Sequence, residues 1–242
     1  MILDAGTGIR ALGNELQKSG ARSLDLIISH PHIDHLQGFP FFAPAYDPGT
    51  EIRVHRVPDG CGPSTPFDKL MEAPHFPLQF RQLPCRVSFH EVPQRFEVGG
   101  LELTTHPLNH PGGNSAFRVE KNGKSIVYMT DHEPYSRMCV SADSQALDSA
   151  VIKFAEGADL LILDSQYTSD EYATHRGWGH SSFEDAISLA QRAEVKQVAL
   201  FHHDPDHSDA FLEQELVRML EDHRSEATRV FLAREGSCVP VG

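Results

Sequence analysis

The stretch Ser29–Gly38 reads SHPHIDHLQG and follows directly on the apolar run LDLIIS (Leu24–Ser29). His30, His32, Asp34 and His35 thus fall within six residues, where an apolar strand gives way to loop. In an extended segment, positions i and i+2 point to the same side, so His30 and His32 can share one metal ion. Asp34 and His35 stand at the turn into a helix, where they can reach a second ion. Nitrogen plus carboxylate ligands suit zinc, and also manganese or iron. A polar loop needs no such alternation to be soluble, even on a chain with 15 histidines.

Outward from this cluster, other strand ends carry matching residues. His110 follows LELTTHPL, Asp131 follows KSIVYMT, and His202 follows QVALF. Loops at strand ends are where sheet proteins place working residues. Taken with His30, His32, Asp34 and His35, they supply seven ligands, enough for two metals sharing Asp131.

The intervening chain reads as alternating strands and helices. ILDAG (Ile2–Gly6) ends a strand, and Ile9–Gly20 has helical spacing closed by Gly20. RVSFHEV, LELTTHPL, SAFRVE and KSIVYMT read as strands, the last two joined by a Lys121-Asn122-Gly123-Lys124 hairpin turn. A helix over Asp148–Ala155, a strand over Asp159–Asp164 and a loop through Gly179 follow. Helix Ser182–Ala193, strand QVALF, helix Ser208–His223 and strand RVFLA complete the chain. This order predicts sheets covered by helices on their outer faces. The proline-rich stretch Pro58–Pro84, with Phe67, Phe76 and Phe80 looking exposed, reads as a loop or lid of about 58–84 inserted in a single domain over 1–242.

The net charge of −13, from 34 acidic and 21 basic residues, comes with no Lys/Arg cluster able to track a phosphate backbone. General nucleic-acid binding is disfavoured, and bound metal would have to supply positive charge for an anionic substrate. Cys61, Cys85, Cys139 and Cys238 are scattered, so neither a disulfide framework nor a zinc ribbon is expected. No apolar run is long enough for a bilayer and no signal segment is present, which leaves a soluble cytoplasmic protein as the expectation.

HPHIDH is the HxHxDH signature of the metallo-β-lactamase superfamily, and LDAGTG, NHPGG, YMTDHE and ALFHHDP resemble its other motifs in order. GWGHSSFEDA resembles the segment of tRNase Z-type phosphodiesterases in which GHS[ST] opens a helix, and LILDSQYT the acidic strand end that partners that histidine. The same group includes cyclic phosphodiesterases. The resemblance implies an α/β fold, an αββα sandwich of two mixed β-sheets flanked by helices. Because the chain opens at the LDAG segment, the family's N-terminal strands are expected to be missing.

It further implies one metal on His30, His32 and His110 and a second on Asp34, His35 and His202, with Asp131 between them. Zn²⁺ is the expected ion of the pair, with Mn²⁺ or Fe²⁺ as alternatives. His203 and His207 rival the last position, but strand register favours His202; His132 reads as a neighbour of the site. His180 is the expected general acid, with Asp164 orienting its imidazole and Asp34 the third residue assigned to catalysis. Ser181 and Ser182 are expected to cap the following helix.

The function implied is a dinuclear metal-dependent phosphodiesterase acting on a small or cyclic phosphodiester through a metal-bridging hydroxide. The alternatives are a tRNA 3′-processing endonuclease, a thioester, lactone or β-lactam hydrolase on the same metals, and a non-catalytic module. No glycine-rich basic arm of the kind tRNase Z uses for tRNA is present. A small-molecule partner is therefore expected ahead of nucleic acid or membrane, with a homodimer possible through a bare sheet edge.

Overall fold

Parallel strands buried on both faces read as unbroken apolar runs, and five of the six residues of Ser23–Ile28 are buried. The computed structural model describes residues 1–58, 65–222 and 227–241. The chain divides into two units, Met1–Gly100 and Leu101–Gly242.

In the first unit, β1 (Ile2–Leu3), β2 (Ser23–Ile28), β3 (Glu51–Arg56) and β4 (Arg86–Glu91) form a four-stranded sheet in sequence order. All its pairings are parallel. Only the larger sheet is therefore mixed, and RVSFHEV belongs to the smaller one, not to the meander that follows it in sequence. The helix α1 (Ile9–Ser19) ends on Gly20 in the left-handed region at φ 74°, as the closing glycine predicts. Leu24, Leu26, Ile28, Ile52 and Val54 build the core with Phe39, Phe42, Phe67 and Phe80.

Of the three phenylalanines that read as exposed, Phe67 and Phe80 are core residues and Phe76 packs half-buried against that core. Phe67 is 1% and Phe80 8% exposed, and their rings lie 5.5 Å apart. The physical reason is local helix, α2 (Thr65–Leu70) and a 3-10 turn at Phe80–Gln82, which turns these rings inward despite the prolines. Residues 59–64 of the expected loop lie outside the described residues.

Asp25 on β2 accepts two hydrogen bonds from the Arg53 guanidinium, both at 2.7 Å, and one from His55 Nε2 at 2.9 Å. The bidentate Arg53 contact holds its carboxyl down at about 2, against the opposing effect of burial and with help from His55. A depressed carboxyl stabilises the fold above its unfolded value near 3.8 and loses that contribution as pH falls towards 2. D25N is expected to lower unfolding free energy at pH 7 by about 2 kcal/mol. In urea titrations the gap from wild type should close between pH 4 and 2; a gap independent of pH would contradict the assignment.

The second unit holds β6 (Leu101–Leu108), β7 (Asn114–Lys121), β8 (Lys124–Met129), β9 (Leu160–Asp164), β10 (Gln197–Phe201) and β11 (Arg229–Leu232), after β5 (Arg95–Val98) in the first. Their order is β11-β10-β9-β8-β7-β6. β6, β7 and β8 are antiparallel neighbours, and β8 through β11 run parallel. The β7–β8 turn places Asn122 and Gly123 at φ 52° and 74°, the hairpin geometry that Asn-Gly favours.

The helices α3 (Tyr135–Met138), α4 (Ala142–Ala155), α5 (Ser169–His175), α6 (Phe183–Arg192) and α7 (Asp209–Asp222) complete this unit. Phe183, Ile187 and Ala190 of α6 pack into a core with Val151 and Ala155 of α4 and Leu161, Leu163 and Val198 of the sheet. The segment expected as loop after Asp164 contains α5, whose capping box pairs Thr168 with Glu171. No described helix is long and apolar enough to cross a membrane.

Candidate metal centre

The first unit prepares its ligands through Asp4, at the end of β1. Asp4 sits at φ 57°, and its carboxylate accepts from the Ser29 backbone N–H and hydroxyl, both at 2.7 Å, and from His35 Nδ1 at 2.9 Å. The Ser29 oxygen in turn lies 3.1 Å from His30 Nδ1. Engaging Nδ1 fixes the tautomer and turns Nε2 of both rings into the atom each can offer a metal. The imidazoles are tightly grouped, with His30 4.5 Å from His32 and 4.3 Å from His35 between ring centroids. Asp34 Oδ2 lies 2.9 Å from His35 Nε2. His30 and His35 are buried, whereas His32 and Asp34 face solvent.

LDAGTG is bound to this loop directly. Ala5 N–H donates to the His35 carbonyl at 2.7 Å and Gly38 N–H to the Ala5 carbonyl at 2.9 Å. A Cβ at Gly38 would stand 2.0 Å from the Gly6 carbonyl oxygen, so this crossing admits only glycine.

In the second unit, Asp131, Asp164 and His202 stand at or just past the C-terminal ends of the adjacent parallel strands β8, β9 and β10. Open α/β sheets bind ligands at that edge. Asp131 and His202 have φ of 50° and 58°, strained for residues with a Cβ. The Asn114 amide supports the first by donating to the carbonyls of Thr130 and Asp131. One Asp131 oxygen lies 3.6 Å from His110 Nε2 and the other 3.5 Å from His202 Nδ1.

These separations are long for hydrogen bonds. Ligand atoms about 2.0–2.2 Å from one tetrahedral ion stand roughly 3.3–3.6 Å apart, so both spacings fit shared metal ions. His110 Nδ1 is held at 3.0 Å by the Gly179 carbonyl. Among the described residues, two groups of His and Asp side chains could each hold a metal ion, one of His30, His32, His110 and Asp131, the other of Asp34, His35, Asp131 and His202.

His180 lies beside His110 and His202. Its Nδ1 is 2.9 Å from Asp164 Oδ2, and its ring stacks on His202 at 5.1 Å and meets His110 edge-on at 5.2 Å. Asp164 is fully buried and also accepts from the backbone N–H groups of His132 and Gln166. Burial pushes its carboxyl above the ordinary range, and the His180 hydrogen bond pulls the other way.

The neighbouring histidines have other partners. His203 is packed parallel to Phe183 at 6.0 Å, and His207 bonds Glu171 at 2.9 Å. His132 Nδ1 accepts from Asn109 N–H. Burial brings His132 and His203 down to about 4, so both rings are neutral at pH 7. Ser182 caps α6 by accepting from Asp185 N–H, but Ser181 does not; its hydroxyl donates to the His132 carbonyl.

Two residues escaped the sequence reading. Asp4 was visible only as part of LDAG. Glu133 is 1% exposed and accepts from Gly177 N–H and Gly179 N–H, both at 2.9 Å, and from the Tyr172 hydroxyl. Its one sequence signal is a charged residue directly after an apolar strand and two candidate site residues.

Residues 1–203 match the family described as the beta-lactamase superfamily domain. A Ribonuclease Z of Azobacteroides pseudotrichonymphae genomovar. CFP2 is 24% identical over 229 residues, covering 83% of this chain and 76% of its own. The metallo-beta-lactamase fold protein YhfI of Bacillus subtilis superposes with a TM-score of 0.65 at 18% identity, over 97% of this chain and 84% of its own. A diphosphatase from the PhnP family gives 0.63 at 18% identity, over 97% and 77%. The two helix-flanked sheets are thus those of the metallo-β-lactamase fold, as the HxHxDH motif implies. With the family model spanning most of its length and paired His/Asp groups at the strand ends, the chain belongs to the beta-lactamase superfamily domain family as a metal-dependent hydrolase.

Proposed function

We propose that the protein hydrolyses a small or cyclic phosphodiester, with His180 donating the proton to the leaving oxygen. The observation carrying this reading is the His180–Asp164 pair set against the rings of His110 and His202. His30, His32 and His110 would hold one ion, Asp34, His35 and His202 the other, and Asp131 would use one oxygen for each. Their nitrogen and oxygen donors suit Zn²⁺ best. Two divalent ions there supply charge for the phosphoryl oxygens and an activated water.

The chain's own residues then do the rest. Asp164 accepts from His180 Nδ1, which fixes the ring and leaves Nε2 to carry the proton that is transferred. Gly179 carries the His110 contact on its carbonyl, and a Cβ there would stand 2.2 Å from His110 Nδ1, so the proton donor's loop and a ligand are set together.

The Ribonuclease Z relative supports a second reading, tRNA 3′-end cleavage. The net charge of −13 with no basic cluster favours the small substrate. Turnover of bis(p-nitrophenyl) phosphate and cyclic phosphodiesters, compared with a precursor tRNA, S-lactoylglutathione and nitrocefin, decides among the classes. Faster cleavage of the tRNA than of any small diester would favour the second reading. Activity confined to the thioester or β-lactam would overturn both.

A further inference from the structure

Trp178, the chain's sole tryptophan, is 59% exposed, two residues before His180. A large aromatic ring left in water forgoes the stabilisation of burial, yet this one is firmly placed. Gly177 and Gly179 flank it at φ 88° and 91°, and both their N–H groups are bound by the buried Glu133 carboxylate. The Trp178 N–H donates to the His175 carbonyl at 3.1 Å. Its ring meets His175 edge-on at 4.7 Å, and His175 stacks on the buried Tyr167 at 4.4 Å and 20°.

Tyr167 in turn meets His180 edge-on at 6.0 Å. A continuous run of rings therefore joins the exposed indole to the proton donor. Met138, 43% exposed, lies beside Gly177, its Cε 3.6 Å from where a Cβ there would stand.

We propose that Trp178 is a stacking platform for a planar group on the substrate's leaving side, a nucleobase by chemical class. The assignment rests on the phosphodiesterase reading, because the run of rings from the indole ends at His180, the residue that protonates the leaving group in that reading. A flat π-face held rigidly suits any base without selecting its edge. The substrate class is then a nucleoside phosphodiester rather than a sugar or glycerol diester.

With one tryptophan, its emission reports on this ring alone. Metal-loaded protein titrated with AMP should show saturable quenching, and ribose 5-phosphate should show none. W178A should lower the ratio of kcat/KM for 2′,3′-cyclic AMP over glycerol 1,2-cyclic phosphate about tenfold (~1.4 kcal/mol), through KM. W178F, which keeps a ring, should restore that ratio to within about threefold. Equal quenching by both ligands, or an unchanged ratio in W178A, would overturn the platform. Quenching by AMP with no diester turned over would keep the platform and defeat the phosphodiesterase reading. Cleavage of both cyclic diesters with no AMP quenching would defeat the platform alone.

Discussion

D131N is expected to abolish hydrolysis and release both metal ions together. Asp131 is 1% exposed, with one oxygen 3.6 Å from His110 and the other 3.5 Å from His202. An amide keeps the shape but loses the charge and one of two acceptor oxygens. Removing a partner behind a ligand typically costs about 10–100-fold in metal affinity or activity, so losing a ligand shared by two ions should exceed that range. Metal content measured after dialysis should fall for both ions in parallel. Loss of one ion with the second retained would show that Asp131 serves a single site. A conserved circular dichroism spectrum would separate this from unfolding, since the Asn114 contacts to the Thr130 and Asp131 carbonyls involve backbone.

H180A is expected to slow diesters with alkoxide leaving groups by about 10²–10⁴-fold. The effect should shrink sharply for bis(p-nitrophenyl) phosphate, because nitrophenolate leaves without a proton. Metal content should match wild type, since His180 belongs to neither candidate ligand group. D164N should follow the same leaving-group pattern more weakly, because it removes the acceptor that holds His180 Nδ1 at 2.9 Å. Equal losses on both leaving groups would assign His180 to binding or ring packing instead of proton transfer.

How much of this is legible in the amino acids depends on the range of the interactions. HPHIDH is a local pattern, and its alternation at a strand end points to metal before any tertiary contact is known. The choice of His202 over His203 rests on strand register, a period-two rule; His203 packs against the core residue Phe183. Gly20 and the Asn122-Gly123 turn are equally local, fixed by backbone conformations that few residues adopt.

Phe67 and Phe80 misled because composition reports solubility of a segment on average, whereas burial depends on which elements lie over it. α5 was hidden for a related reason: its helix of seven residues is too short for a clear apolar period, and its capping box alone marks it. Glu133 was illegible because its partners, Tyr172, Gly177 and Gly179, are about forty residues away. Nothing in a single sequence announces such pairing. The exposed indole of Trp178 belongs with it, since its rigid placement comes from that same carboxylate.

The most direct test of the dinuclear centre is anomalous diffraction at the zinc edge on protein purified without chelator and supplied with Zn²⁺. Two peaks per chain are expected, one beside each oxygen of Asp131, with His110 at one and His202 at the other. No peak at Asp131, or a single ion bound by His30, His32 and His35 alone, would contradict it.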